Sequence, residues 1–110
     1  MSSGIKGTSS PGGGPPTLGT TALVSATATT TLILSVCNRT SAADTIRVAV
    51  VPSGTATSGA IADEYYIEYD FSLNANTSFE RTGITLESGA RLIVGSGNGS
   101  CSFVAYGLES

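Results

Sequence analysis

Apolar side chains recur along this chain with a period of two. In Thr31–Cys37, Leu32, Leu34 and Val36 share one side. In Thr45–Val50, Ile46, Val48 and Val50 share one side while Arg47 points away. The longest alternation is Glu64–Leu73, where Tyr65, Ile67, Tyr69, Phe71 and Leu73 oppose Glu64, Tyr66, Glu68, Asp70 and Ser72. Successive side chains of a strand point to opposite faces, so each pattern reads as a strand with one buried side. Strands of this kind belong to antiparallel sheets with one face in water.

Residues 20–51 contain no Gly or Pro, and 15 of these 32 residues are Val, Ile or Thr. Branching at Cβ restricts rotamers in a helix and suits a pleated surface. Asn38–Asp44 and Asn74–Asn76 carry turn residues between strands. Shorter strands follow at 78–81, 84–87 and 91–94, punctuated by Gly83 and Ser88-Gly89. Asn98-Gly99, within Gly95–Gly99, is the strongest hairpin signal in the chain and leads into a last strand at 100–108. With Thr20–Ser25 as the first strand, the count is about eight. The pattern predicts an all-β fold, an eight-stranded antiparallel β-sandwich of the Ig-like or jelly-roll kind. No helix and no internal repeat is expected. Leu32, Leu34, Val36, Ile46, Val48, Val50, Ile67, Tyr69, Phe71, Val94 and Phe103 are the expected core.

Residues 1–17 stand apart from this pattern. They hold five Gly and three of the four Pro, and Met1 and Ile5 are their sizeable apolar side chains. Proline bars regular helix and central strand, and glycine lowers stiffness. The chain therefore divides into an extended arm, 1–17, and a β-sandwich domain, 18–110. Such an arm gains order only on a preformed surface, for instance by adding a strand to a neighbour's sheet edge. Ile5, Lys6, Pro11, Pro15 and Pro16 are the candidate partner-binding residues.

Composition narrows the chemistry. Ser, Thr and Gly make up 45 of 110 residues, and Val, Ile, Leu and Phe only 25, so the core is thin. The net charge of −3 is not that of a nucleic-acid binder. His is absent, which removes the commonest general base and metal ligand. No basic partner accompanies the many serines, so the usual nucleophilic triads cannot be assembled. No secretory signal or membrane-length apolar run is visible. Cys37 and Cys101 read as two buried small residues without a disulfide. Asp63, Glu64, Glu68 and Asp70 are half of all the acids. They read as a solvated face or a salt-bridged subunit contact, with Arg39, Arg47, Arg81 and Arg91 as the opposite charges, and with a hard-cation site and glycosidase chemistry as the rarer readings. Gly95–Ser100 lacks the Lys and the helix of a phosphate loop and reads as a turn. No catalytic residue, cofactor or metal is expected.

Three segments carry a resemblance. Val36–Pro52 has a "V-C-N-R" strand end leading through small residues into an "I-R-V-A-V" strand. Glu64–Asp70 holds a "Y-I-x-Y-D" strand, and Gly83–Ala90 a "G-I-T-L-x-x-G" segment in which Ala90 replaces the more usual polar residue. Together they resemble small β-sandwich structural proteins of tailed-phage virions over roughly residues 18–108. The resemblance implies a virion component without catalytic residues. It implies partners among other virion proteins (the major capsid protein or tail proteins) and sister copies, and no contact with nucleic acid or membrane. A capsid decoration or cement protein is the first reading. A tail, baseplate or fibre subunit is the alternative, and a carbohydrate-binding adhesin module using the tyrosines is an alternative of a different class.

Overall fold

The computed structural model describes residues 2–109; Met1 and Ser110, which the division at 17/18 assigns to the arm and the domain, lie outside the described residues. Eight strands form: β1 (Ser2–Ser9), β2 (Val24–Ser25), β3 (Thr30–Asn38), β4 (Asp44–Val51), β5 (Tyr66–Leu73), β6 (Ser78–Leu86), β7 (Arg91–Ser96) and β8 (Cys101–Glu109). They make two four-stranded sheets, ordered β1-β8-β3-β6 and β2-β7-β4-β5, with every pairing antiparallel. Strand one lies beside eight, two beside seven, three beside six and four beside five. Every connection except β4–β5 passes from one sheet to the other. A long hairpin wrapped around a barrel axis gives this order, so the sandwich is a jelly roll and not Ig-like.

The inner faces carry the core. Leu32, Leu34, Val36, Ile46, Val48, Leu86, Leu92 and Phe103 are fully enclosed between the sheets. Each such side chain stabilises the fold by about 1.5–3 kcal/mol. Arg81 of β6 donates to Glu68 of β5 at 2.6 Å, and Phe71 packs on Phe79 with ring centroids 4.6 Å apart. These two contacts close the seam where the edge strands of opposite sheets meet.

The outer face of the β2-β7-β4-β5 sheet is only partly wet. Residues 10–23 and 52–65 cross it, and Leu18 and Ile61 join Ala49, Val51 and Ile93 in a second buried cluster. The Leu18 amide donates to Gly59 O at 2.8 Å, tying the two crossing segments together. This cover shrinks the expected strand at 20–25 to Val24–Ser25, since the preceding residues lie across the sheet instead of within it.

Other expectations change for identifiable reasons. The arm is not separate: Ser2–Ser9 pairs with Phe103–Glu109 as an edge strand of its own chain. The expected strands at 78–81 and 84–87 are one, β6. A β-bulge opposite Ile33 absorbs Thr82 and Gly83, and Gly83 takes φ +78°. Asn98-Gly99 does not close a hairpin, because β7 and β8 belong to different sheets. Asp63–Tyr65 forms one 3-10 turn ahead of β5, not the start of the strand. Cys37 is exposed while Cys101 is buried. Asn38 pairs with Cys101, so the two thiols are one register step apart and face opposite sides of the sheet.

The largest departure is β5. Two bulges interrupt its pairing with β4, one opposite Arg47 and one between the Glu68 and Tyr66 pairings. Each extra residue reverses the faces that follow it. Ile67, Phe71 and Leu73 keep the inward side, Glu68 turns toward Arg81, and Tyr69 comes out with Tyr66 and Asp70. Tyr69 is 55% exposed and Phe71, at the seam, 37%; Ile67 and Val50 are half-buried. The rest of the expected core is buried.

Candidate functional site

The first bulge in β5 builds a polar-aromatic cluster on the outer face. With two residues opposite Arg47, both Tyr69 and Asp70 reach it. Arg47 Nε donates to Asp70 Oδ1 at 2.7 Å and Nη2 to Oδ2 at 3.4 Å. Its guanidinium lies 4.1 Å from the Tyr69 ring centroid and 5.8 Å from that of Tyr66. The two tyrosines meet edge to face at 4.9 Å. The hydrogen bonds from Arg47 hold the Asp70 carboxyl below the usual carboxylate range, and Asp70 in turn keeps Arg47 charged. Asp70 sits at φ +51°, a left-handed conformation that Asp tolerates better than most residues.

The chain ahead of β2 completes this surface. Pro16 is buried against Gly95 of β7, where a Cβ would come 2.6 Å from the proline ring. The Gly14 amide donates to Ser96 O and Gly97 O, both at 3.2 Å. Pro15, Pro16, Gly95, Thr45, Arg47 and Asp70 are among the residues that enclose a cavity of about 200 Å³. A second depression of about 340 Å³ lies on the other side of the stack, against Tyr66, Tyr69 and Asp63.

A buried carboxylate holds one end of the sandwich. Asp44, at the start of β4, accepts from Thr45 N (2.7 Å) and Asn98 N (2.9 Å) on Oδ1. On Oδ2 it accepts from the hydroxyls of Ser96 (2.5 Å) and Ser100 (2.7 Å) and from Ser100 N (3.3 Å). Burial pushes its pKa up, but these donors outweigh burial and hold it far below the usual range. Burial likewise pushes the neighbouring Cys101 thiol up. Asn38 does similar work at the adjoining crossover, donating to Ala42 O, Leu73 O and Asn74 O and accepting from Thr40. Both oxygens of Asp44 accept from groups of the protein itself, so its place is architectural.

The outer face of the other sheet is the second exposed surface. Ile5, Tyr106 and Ile33 stand in one register row across β1, β8 and β3. Ile5 is 69% exposed, and Leu108 beside them 45%. The Tyr106 hydroxyl donates to Glu80 at 2.9 Å, which raises its own pKa.

The five arm residues are thus spread over two surfaces. Ile5 lies in the apolar row and Lys6 at a bulge in β1. Pro11 is half-buried, Pro15 lines the cavity, and Pro16 is buried on Gly95. The four acids at 63–70 do not converge: Glu68 pairs with Arg81, Asp70 with Arg47, and Glu64 is exposed in the 3-10 turn. Among the described residues no three carboxylate or thiol side chains gather as metal ligands. Sequence reasoning supplied Arg47 as a counter-charge for Asp70 but missed Tyr69 beside them, because alternation puts Tyr69 and Asp70 on opposite faces. It also missed Asp44, whose signal was present: an Asp beside a strand start and a distant Ser/Gly-rich turn short of partners for its amides. No protein-family model, curated protein or solved structure matches the chain.

Proposed function

We propose that this chain is a structural subunit of a tailed-phage virion, a capsid decoration protein. It attaches through subunit contacts that include its N-terminal segment. The observation that carries the reading is the outer face of the β1-β8-β3-β6 sheet. There Ile5, Ile33, Tyr106 and Leu108 present apolar surface on paired strands. A face of this kind suits contact with sister copies or with the major capsid protein. Two further points support it. The jelly roll recurs in viral capsid domains, although a fold alone hosts many functions. The three segments that carry the phage resemblance also map onto the frame: the β3–β4 crossover with Asn38 and Asp44, the bulged strand β5, and the β6–β7 crossover.

The test is localisation in the particle. Virions produced by the genome that encodes this chain are purified through a density gradient, washed with high salt and analysed by mass spectrometry and immunogold labelling. The chain is expected in the particles in many copies, with label on the head. Label confined to the tail, baseplate or fibres would replace the decoration role by the alternative. Absence from purified particles would overturn the reading.

A further inference from the structure

The Arg47–Asp70–Tyr69 cluster and the cavity beside it are surplus to a purely architectural role. The fold does not need Asp70 in a left-handed conformation, since Gly would take it without strain. Strained non-glycine residues persist where the surroundings hold them and cluster at ligand sites. Here the strained residue lines a cavity, and the same bulge turns out a tyrosine that regular pairing would have buried.

We propose that this surface binds a neutral pyranose unit of a glycan. The cavity, about 200 Å³, is smaller than the ~300–1,000 Å³ of sites for drug-sized ligands and suits one polar ring. Its walls are of two kinds. Pro15 and Pro16 offer C–H surface. Asp70, Arg47 and Thr45 offer acceptors and donors. Asp70 engages two of the five guanidinium N–H groups and Tyr66 a further one; the others and the remaining lone pairs of the carboxylate can face a ligand. A pyranose has the matching amphiphilic build, a C–H face and a rim of vicinal hydroxyls that can bridge a planar acceptor and a planar donor. The charge balance selects a neutral sugar: Asp70 neutralises Arg47, and the Asp44 carboxylate behind Gly97 adds negative charge. An acidic sugar would meet net repulsion there. The proposal stands apart from the virion reading, because binding and incorporation into particles are read separately.

The experiment uses the full chain and a panel of methyl glycosides of glucose, galactose, mannose, N-acetylglucosamine and N-acetylgalactosamine, with methyl glucuronide as the anionic member. Binding is read by saturation-transfer NMR and by titration of amide shifts. At least one neutral glycoside is expected to bind with millimolar affinity, the range of a single small contact surface, and to shift the amides of Thr45, Asp70 and Gly97. Thr45→Val and Asp70→Gly should each weaken it at least tenfold. Asp70→Gly is the informative variant, since it suits the positive φ and keeps the fold while removing the carboxylate. A panel without transfer, tighter binding of the glucuronide than of every neutral glycoside, or binding unchanged in both variants would each overturn the proposal.

Discussion

Replacing Asp44 by Asn keeps the size of the side chain and removes its charge and one acceptor. The carboxylate accepts from five N–H and O–H groups of Thr45, Asn98, Ser96 and Ser100. An amide that keeps its oxygen toward Thr45 N and Asn98 N must point its NH2 at the serines. The two hydroxyls can rotate to accept, but Ser100 N–H then faces another donor. Hydrogen bonds to a charged group contribute about 1.5–3 kcal/mol and neutral ones about 0.5–1.5. Four retained bonds each weakened by about 1 kcal/mol, plus one buried donor left unpaired at about 1–3 kcal/mol, give a loss of about 5–7 kcal/mol. A domain of this size has about 5–15 kcal/mol in total, so Asp44→Asn should lower Tm by on the order of 20–35 °C. The pH dependence supplies the sign. The folded pKa of Asp44 lies below the ordinary Asp value of about 3.9, so the unfolded chain binds the proton first as pH falls. The stabilisation is complete above that value and shrinks below it at up to about 1.4 kcal/mol per pH unit. Urea unfolding of both proteins between about pH 6 and pH 2.5 should therefore show the wild-type advantage constant above pH 5 and closing toward the acid end. An advantage under 1 kcal/mol at neutral pH, or one that stays constant down to about pH 2.5, would refute this account of the network.

Three further outcomes follow from the packing. Deleting residues 2–9 should leave a folded chain with a Tm lower by a few degrees, because residues 4–9 bury little side-chain surface. It should also bare the β8 edge, so sedimentation velocity should show concentration-dependent association; a monomer at the wild-type Tm would mean β1 does not pair with β8. In the native protein a thiol reagent should modify Cys37 rapidly and Cys101 only on unfolding, since burial both hides that thiol and raises its pKa; two equally fast thiols would contradict the facing of β3 and β8. Gly95→Val should destabilise by about 1–3 kcal/mol through overlap with Pro16, measured by thermal unfolding, and Pro16→Gly in the same chain should recover part of that; an unchanged Tm in Gly95→Val would show that the proline is not seated there.

The inner strands were legible because their alternation is unbroken. Leu32, Leu34 and Val36 in β3, and Ile46 and Val48 in β4, lie where the pattern puts them. Strand β5 shows the limit of that logic. A bulge adds one residue without leaving a mark in the alternation, so Tyr69 moved from core to surface and carried the candidate site with it. Gly83 looked like a break between two strands and is a bulge within one, because glycine serves both purposes. Asn98-Gly99 signals a tight turn, and the turn is there. Which strands a turn joins depends on sheet assignment, which the buried Asp44 fixes from 54 positions away. The segment before Thr20 was read by composition alone. Its strand is held by backbone pairing to β8 and by glycines at close approaches such as Gly7 against Leu23 O, and neither leaves an apolar pattern.

Cryo-electron microscopy of the intact particle tests the proposed structural role in a virion. Repeated jelly-roll density is expected on the outside of the capsid shell, with the row Ile5–Tyr106–Ile33 and Leu108 turned toward a sister copy or the underlying capsid protein. Particles without that density, or density that leaves this row facing solvent on every copy, would contradict it.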